Sequence, residues 1–155
     1  MCSSNHRSVF GGNYTEFTLA NLAVGELAMM VARGLAPITA IGFLKQLSDE
    51  LVDDVYSHIQ TPRLRVVLES EESLNPVAFM ASKTIYSGYG QFGSDLLYYL
   101  GGIIIDEAHR GIGGKLLNSE LKSTRATHLG FHTQNLKMLH LGEKLTKYDF
   151  NQANI

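Results

Sequence analysis

Cysteine occurs once in the 155 residues, at Cys2, so no disulfide can close within the chain and the composition suits a reducing compartment. No apolar run approaches the ~20 residues of a membrane span. The opening Met1-Cys2-Ser3-Ser4-Asn5-His6-Arg7 has no apolar core behind its charge, unlike a secretory signal. Neither sign of charge dominates. Lys and Arg number 13 against 15 Asp and Glu, a net charge of -2, which supplies no drive toward nucleic acid or an anionic membrane. Repeats and low-complexity segments are also lacking. These absences make a cytoplasmic protein with no nucleic-acid and no membrane partner the expectation. What is there is a 45% hydrophobic content, enough for the core of one domain.

Residues 1–13 are polar and glycine-containing, the pattern of a flexible tail, and 14–155 are expected to form the single domain. Tyr14 to Leu19 alternates as a first strand. Asn21 is placed to cap a helix from Leu22 to Arg33 that Gly34 stops. Pro37 opens a second helix, whose Ile41, Leu44, Leu47, Leu51, Val55 and Ile59 form one apolar stripe. Its acids Asp49, Glu50, Asp53 and Asp54 read as a solvated face that also has the charge to attract a cationic acceptor. Arg63 to Glu69 and Pro76 to Ile85 read as strands of a hairpin, and Leu96 to Ile105 as a central strand buried on both faces. A helix from Gly111 or Ile112 to Lys122, a strand from Thr127 to Phe131 or His132, and a helix from Asn135 to Leu145 complete the series.

The chemistry concentrates where the central strand ends, in Ile103-Ile104-Ile105-Asp106-Glu107-Ala108-His109-Arg110-Gly111-Ile112-Gly113-Gly114-Lys115-Leu116-Leu117. A strand, a glycine-rich turn and a helix N-terminus make an anion site, because glycines let backbone N–H groups approach a phosphate and the first helical turn leaves its N–H groups unpaired. A Walker loop needs Ser or Thr after Gly-Lys, and Leu116 follows Lys115. A dinucleotide fingerprint needs a third glycine, where Leu116 stands.

The segment instead resembles the acyl-CoA-binding motif of the GNAT N-acetyltransferases, an (Arg/Gln)-x-x-Gly-x-(Gly/Ala) turn after a strand. Two registers fit. Matching Gly111-Ile112-Gly113 to the glycines puts Leu116 and Leu117 on the buried helix face and Ala108 at the Arg/Gln position; matching Arg110 to the family's arginine puts Lys115 at the last small residue. Burial of the helix face favours the first. A second signature follows in Asn135-x-x-Met138-x-x-Leu141-x-Glu143-Lys144-Leu145, which resembles the family helix whose asparagine contacts the CoA arm.

The resemblance implies an α/β fold with a GNAT-like mixed, mostly antiparallel sheet flanked by helices and short at the C-terminus. It implies direct transfer of an acetyl group from acetyl-CoA to a primary amine, on a small molecule or a protein, without a metal. The pantetheine arm would meet edge amides near Ile103 and Ile105, and the pyrophosphate would meet Ala108, His109, Arg110, Gly111, Ile112, Gly113 and Gly114. Many family members use a tyrosine as the acid on the last helix, where this chain has Gly142. Tyr98, Tyr99, Tyr148, Asp106, Glu107, His128, His132 and His140 give no clear substitute, so no catalytic residue is assigned. The histidines have neither cysteine nor a paired acid beside them, which argues against a metal site. Residues 146–155 suffice for one strand where the family has two, an edge that a homodimer would supply. The alternative is a catalytically silent CoA-binding or interaction module on the same fold.

Overall fold

The computed structural model describes residues 13–87, 95–109, 111–132 and 136–146. The expected N-terminal tail, the loop from Ser87 to Ser94 beyond its first residue, Arg110, Asn135 and the C-terminal residues from Lys147, with Tyr148 among them, lie outside those segments. Five strands form one mixed sheet in the order β1 (Thr15–Ala20), β2 (Arg63–Leu68), β3 (Pro76–Ser87), β4 (Asp95–Ile105), β5 (His128–Phe131). The first three pairings are antiparallel and β4–β5 is parallel. Helices α1 (Glu26–Gly42) and α2 (Asp49–His58) cover one face; α3 (Ile112–Thr124) and α4 (Leu136–Thr146) cover the other. This is the mixed, mostly antiparallel architecture expected from the sequence.

Side chains on a strand alternate between faces, so each strand feeds two cores. Phe79 and Ala81 of β3 join Ala32, Leu35 and Val55 on the α1–α2 side. Ala78 and Met80 join Leu116 and Leu117 on the α3–α4 side. On β4 the alternation breaks once. Tyr98 and Leu100 face α3, and so do Ile103 and Ile105, while Ile104 packs with the opposite core. The cause is a bulge: Ala81 pairs with Gly102 and Ser82 with Leu100, leaving Gly101 as the extra residue.

The helices on the first face differ from the sequence expectation. Gly34 does not stop α1, and Pro37 lies inside it rather than opening a second helix. Both residues are on the exposed side, and burial of Leu35, Ala36, Ile38 and Thr39 on the other side carries the helix through them. Asn21 is no cap; it has φ 50° and donates its N–H to the Pro62 carbonyl at 2.8 Å. The helix starts after Gly25, at φ 144°. It ends in a Schellman turn, with Lys45 N–H on the Ala40 carbonyl at 2.9 Å and Leu44 N–H on the Ile41 carbonyl at 3.2 Å. Leu44 takes the left-handed position that usually goes to glycine, at φ 53°. Ser48 then caps α2 by accepting the Leu51 N–H at 3.2 Å. The expected single stripe is therefore split: Leu51, Val55 and Ile59 are buried, and Ile41, Leu44 and Leu47 are exposed.

Candidate functional site

The bulge at Gly101 decides which backbone groups β4 offers to a ligand. Before it, the Leu96 carbonyl accepts from Thr127 N–H at 2.9 Å, so the even-numbered residues point toward β5. After it, Asp106 N–H donates to the Val77 carbonyl at 2.8 Å, so even numbers point toward β3 and the amides of Ile103 and Ile105 point the other way. β5 pairs with β4 only from Leu97 to Leu100. Ile103 and Ile105 thus face a side on which β5 gives them no ladder partner.

The chain then turns into α3. Asp106 Oδ1 accepts the Ala108 N–H at 3.3 Å, and His109 N–H bonds the Asp106 carbonyl at 2.9 Å, closing a short 3-10 turn over Glu107–His109. His109 is anchored to the start of β1, its Nδ1 lying 2.6 Å from the Tyr14 hydroxyl. Gly111 precedes α3 at φ 95°, and no side chain caps the helix. Its first N–H groups have no acceptor within the helix, the arrangement that holds an anion.

The three glycines differ in role. Gly111 is exposed and needs its left-handed backbone; nothing lies within 4 Å of a Cβ built on it. Gly113 is buried against β4, and a Cβ there would collide with Cδ1 of Ile105. A Cβ on Gly114 would come 3.3 Å from Cδ1 of Leu141 on α4. Sequence reasoning gives Gly113 the place where a ligand approaches; the structure fills that place with the Ile105 side chain. The glycine permits α3 to pack closely on the strand, and only its backbone N–H remains available at the helix entrance. Ile112 likewise turns its side chain inward.

Beneath α3, Glu120 is fully buried and accepts four hydrogen bonds from three side chains. Arg63 grips both its oxygens at 2.7 and 2.8 Å, Arg65 donates to Oε1 at 2.9 Å, and the Tyr98 hydroxyl donates to Oε2 at 3.2 Å. Arg65 also pairs with Glu16, so β1, β2, β4 and α3 share one charge network. Burial pushes the Tyr98 hydroxyl well above its ordinary value, with the Glu120 charge adding to the effect, and its hydrogen bond to Glu120 raises the Arg63 guanidinium further. Tyr98 therefore holds α3 in place and has no path to a reacting group. Tyr99 points elsewhere, with the Lys83 ammonium 5.4 Å from its ring centre. Gly142 is buried in α4.

On the opposite face, a cavity of about 230 Å³ opens beside the bulge. Gly101, Gly102 and Ile103 form part of its wall, facing Phe43, Asp54 and His58. His58 Nδ1 lies 2.8 Å from the Asp54 carbonyl oxygen. A carbonyl can only accept, so Nδ1 carries the proton and Nε2 of the neutral ring keeps its lone pair. Sequence reasoning passes over His58; the signal available was an Asp and a His four apart on one helix. Among the described residues no group of three or more His, Cys, Asp or Glu could hold a metal ion.

Comparison with solved structures settles the architecture. A possible acetyltransferase from Clostridium difficile 630 superposes with a TM-score of 0.56 at 14% identity, covering 89% of this chain and 92% of that one. The chain has the fold of the GNAT N-acetyltransferases. Similar GNAT-fold neighbours include an aminoglycoside acetyltransferase from an uncultured soil metagenomic sample, with a TM-score of 0.57, 13% identity and coverage of 89% and 93%. Glucosamine-6-phosphate N-acetyltransferase from Arabidopsis thaliana matches with a TM-score of 0.52, 16% identity and coverage of 87% and 92%. No family model matches the chain, and no curated protein matches it by sequence.

Proposed function

We propose that the protein is an N-acyltransferase that moves an acetyl group from acetyl-CoA to a primary amine. The observation that carries this reading is the junction after the Gly101 bulge, where the outward amides of Ile103 and Ile105 lead to an uncapped helix N-terminus at Gly111. An extended polar arm suits the strand edge, and a pyrophosphate suits the N–H groups of Gly111, Ile112, Gly113 and Gly114. Ala108 and His109 shape the turn that precedes them, and Arg110 and Asn135 are assigned to the same ligand by the motif alone. An outward amide such as that of Ile103 also polarises a thioester carbonyl beside it.

The amine enters from the cavity on the α1–α2 face. Asp54 attracts it as an ammonium ion, and His58 Nε2 takes its proton. The free amine attacks the thioester carbonyl, the C–N bond forms and the C–S bond breaks, and the second proton shed by the new amide nitrogen passes through water to the departing thiolate. No tyrosine is needed for that last step, which is consistent with Gly142.

Titration calorimetry with CoA and a thiol-release assay with acetyl-CoA against a panel of alkyl, aminosugar and peptide amines test the reading. Binding of CoA with acetyl-CoA-dependent thiol release supports it. CoA binding without turnover on any amine leaves a silent CoA-binding module, and no CoA binding overturns the assignment.

A further inference from the structure

Helix α1 is apolar on both sides. Ala28, Ala32, Leu35, Ala36 and Thr39 face the sheet and are buried. The opposite side carries Leu27, Met30, Gly34, Pro37 and Ile41, three or four residues apart and all exposed. Glu26 and Arg33 are the charged residues of the whole helix. A helix that is apolar all round belongs in a core, and this one has only half of its surface in one.

Exposed apolar residues continue in sequence with Val24 before the helix and Leu44 and Leu47 after it. Leu27 is 58% exposed, Met30 68%, Ile41 60% and Leu44 94%. The six large side chains together expose on the order of 700 Å². That exceeds the ~300–600 Å² of the largest patch on a typical monomer and approaches the ~800 Å² that each partner buries in a standard interface.

We propose that this face of α1 packs against the same face of a second copy, with the two helices antiparallel across Gly34 in a two-fold dimer. A two-fold interface must be self-complementary, and the stripe reads alike in both directions. Leu27 and Val24 stand seven and ten residues before Gly34; Ile41 and Leu44 stand seven and ten after it. An axis at Gly34 lays Leu27 of one copy on Ile41 of the other. At the centre, the exposed Gly34 has nothing within 4 Å of its Cβ position, a notch that lets two helices approach closely. A lipid surface fits less well. Helices that lie on membranes carry Lys and Arg along a polar face, whereas the other face of α1 is in the core and Arg33 is its one basic residue.

Sedimentation velocity of the full chain across the micromolar range should give the mass of two chains. Met30→Glu and Ile41→Glu should each raise the dimer dissociation constant roughly a hundredfold or more, by setting a charge in an apolar seam. Both side chains are exposed, so circular dichroism should not change. Leu74→Glu, at a site 83% exposed between β2 and β3, should leave the dimer intact. In a Cys2→Ser background, oxidised Gly34→Cys should cross-link two chains, because the axis brings those positions together, and Ser57→Cys on α2 should not. A monomeric wild type overturns the proposal, as does a dimer that survives both glutamates or fails to cross-link through position 34. A monomer that co-sediments with phosphatidylcholine vesicles overturns it in favour of lipid.

Discussion

The Tyr98 hydroxyl on β4 donates to Oε2 of Glu120 on α3 at 3.2 Å, and both side chains are fully withdrawn from solvent. That bond joins the strand carrying the outward amides to the helix whose N-terminus no side chain caps. The buried charge network around it fixes the angle between the two. Removing Glu120 takes from the buried Arg65 guanidinium the buried one of its two carboxylates, which costs more than the pair contributes when complete.

Glu120→Ala should therefore destabilise the fold by ~3–5 kcal/mol, because Arg65 loses its buried partner. Glu120→Gln keeps the volume and an acceptor, and should cost about 1–3 kcal/mol. Urea denaturation followed by far-ultraviolet circular dichroism separates the two; equal losses would mean that the charge contributes nothing.

Alkaline stability carries the sign of the Tyr98 shift. Burial raises this hydroxyl above its ordinary value of 10.0, so the folded chain holds the proton more tightly than the unfolded chain. The resulting stabilisation is complete below pH ~10 and is lost as pH rises through the raised value. Arg63 is shifted in the same direction and adds to the loss at still higher pH. Tyr98→Phe should lower stability by ~1 kcal/mol at neutral pH and flatten the decline above pH ~10. Urea midpoints measured as a function of pH in both proteins check this.

The glycines of the turn should separate into ligand and fold effects. Gly111→Ala puts a β-carbon on a left-handed residue, at a cost of ~1–2 kcal/mol and with a shift of the first helical N–H groups. CoA affinity should fall about tenfold or more while the fold survives. Gly113→Val drives a branched side chain into Ile105, and should cost ~1–3 kcal/mol of stability through overpacking. Calorimetry paired with thermal melts distinguishes them. A Gly113→Val protein as stable as wild type would remove the packing role.

Asp106→Asn should change CoA affinity little or raise it. The side chain accepts the Ala108 N–H, a bond that an amide oxygen can replace, and the substitution removes a negative charge beside the anion site. A loss of binding as large as that of Gly111→Ala would assign the turn to a different ligand.

The order of elements along the chain, the β4 span and the glycine-rich start of α3 were legible because period-two alternation and turn residues report on local structure. The Gly101 bulge was not, since the Gly101-Gly102 pair looks alike in a straight or a bulged strand. The division of α1 from α2 was misread for a physical reason. Gly34 and Pro37 carry strong local preferences, but burial of Leu35, Ala36 and Ile38 outweighs them, and the true break uses Leu44 in a position that favours glycine. Ser48, three residues before Leu51, was the available cap signal. At the site, the turn could be read from residue types, whereas the place of His58 beside Gly101 and Ile103 and the Glu120 network depend on contacts across dozens of residues that no local pattern encodes.

His58 provides the sharpest test of chemistry. Its Nδ1 is committed to the Asp54 carbonyl, so Nε2 is the nitrogen able to accept a proton in the cavity beside Ile103. His58→Gln keeps a polar side chain on the exposed end of α2, so stability and CoA affinity should stay within about a factor of two of wild type. Turnover on whichever amine the panel identifies should fall ~10²–10⁴-fold, the usual contribution of a general base. Single-turnover measurements with acetyl-CoA in excess place the loss in the chemical step rather than in product release. Unchanged turnover would move the base to another group and leave the acyl-CoA site as it stands; a matching loss of CoA affinity would mean that His58 shapes the site instead.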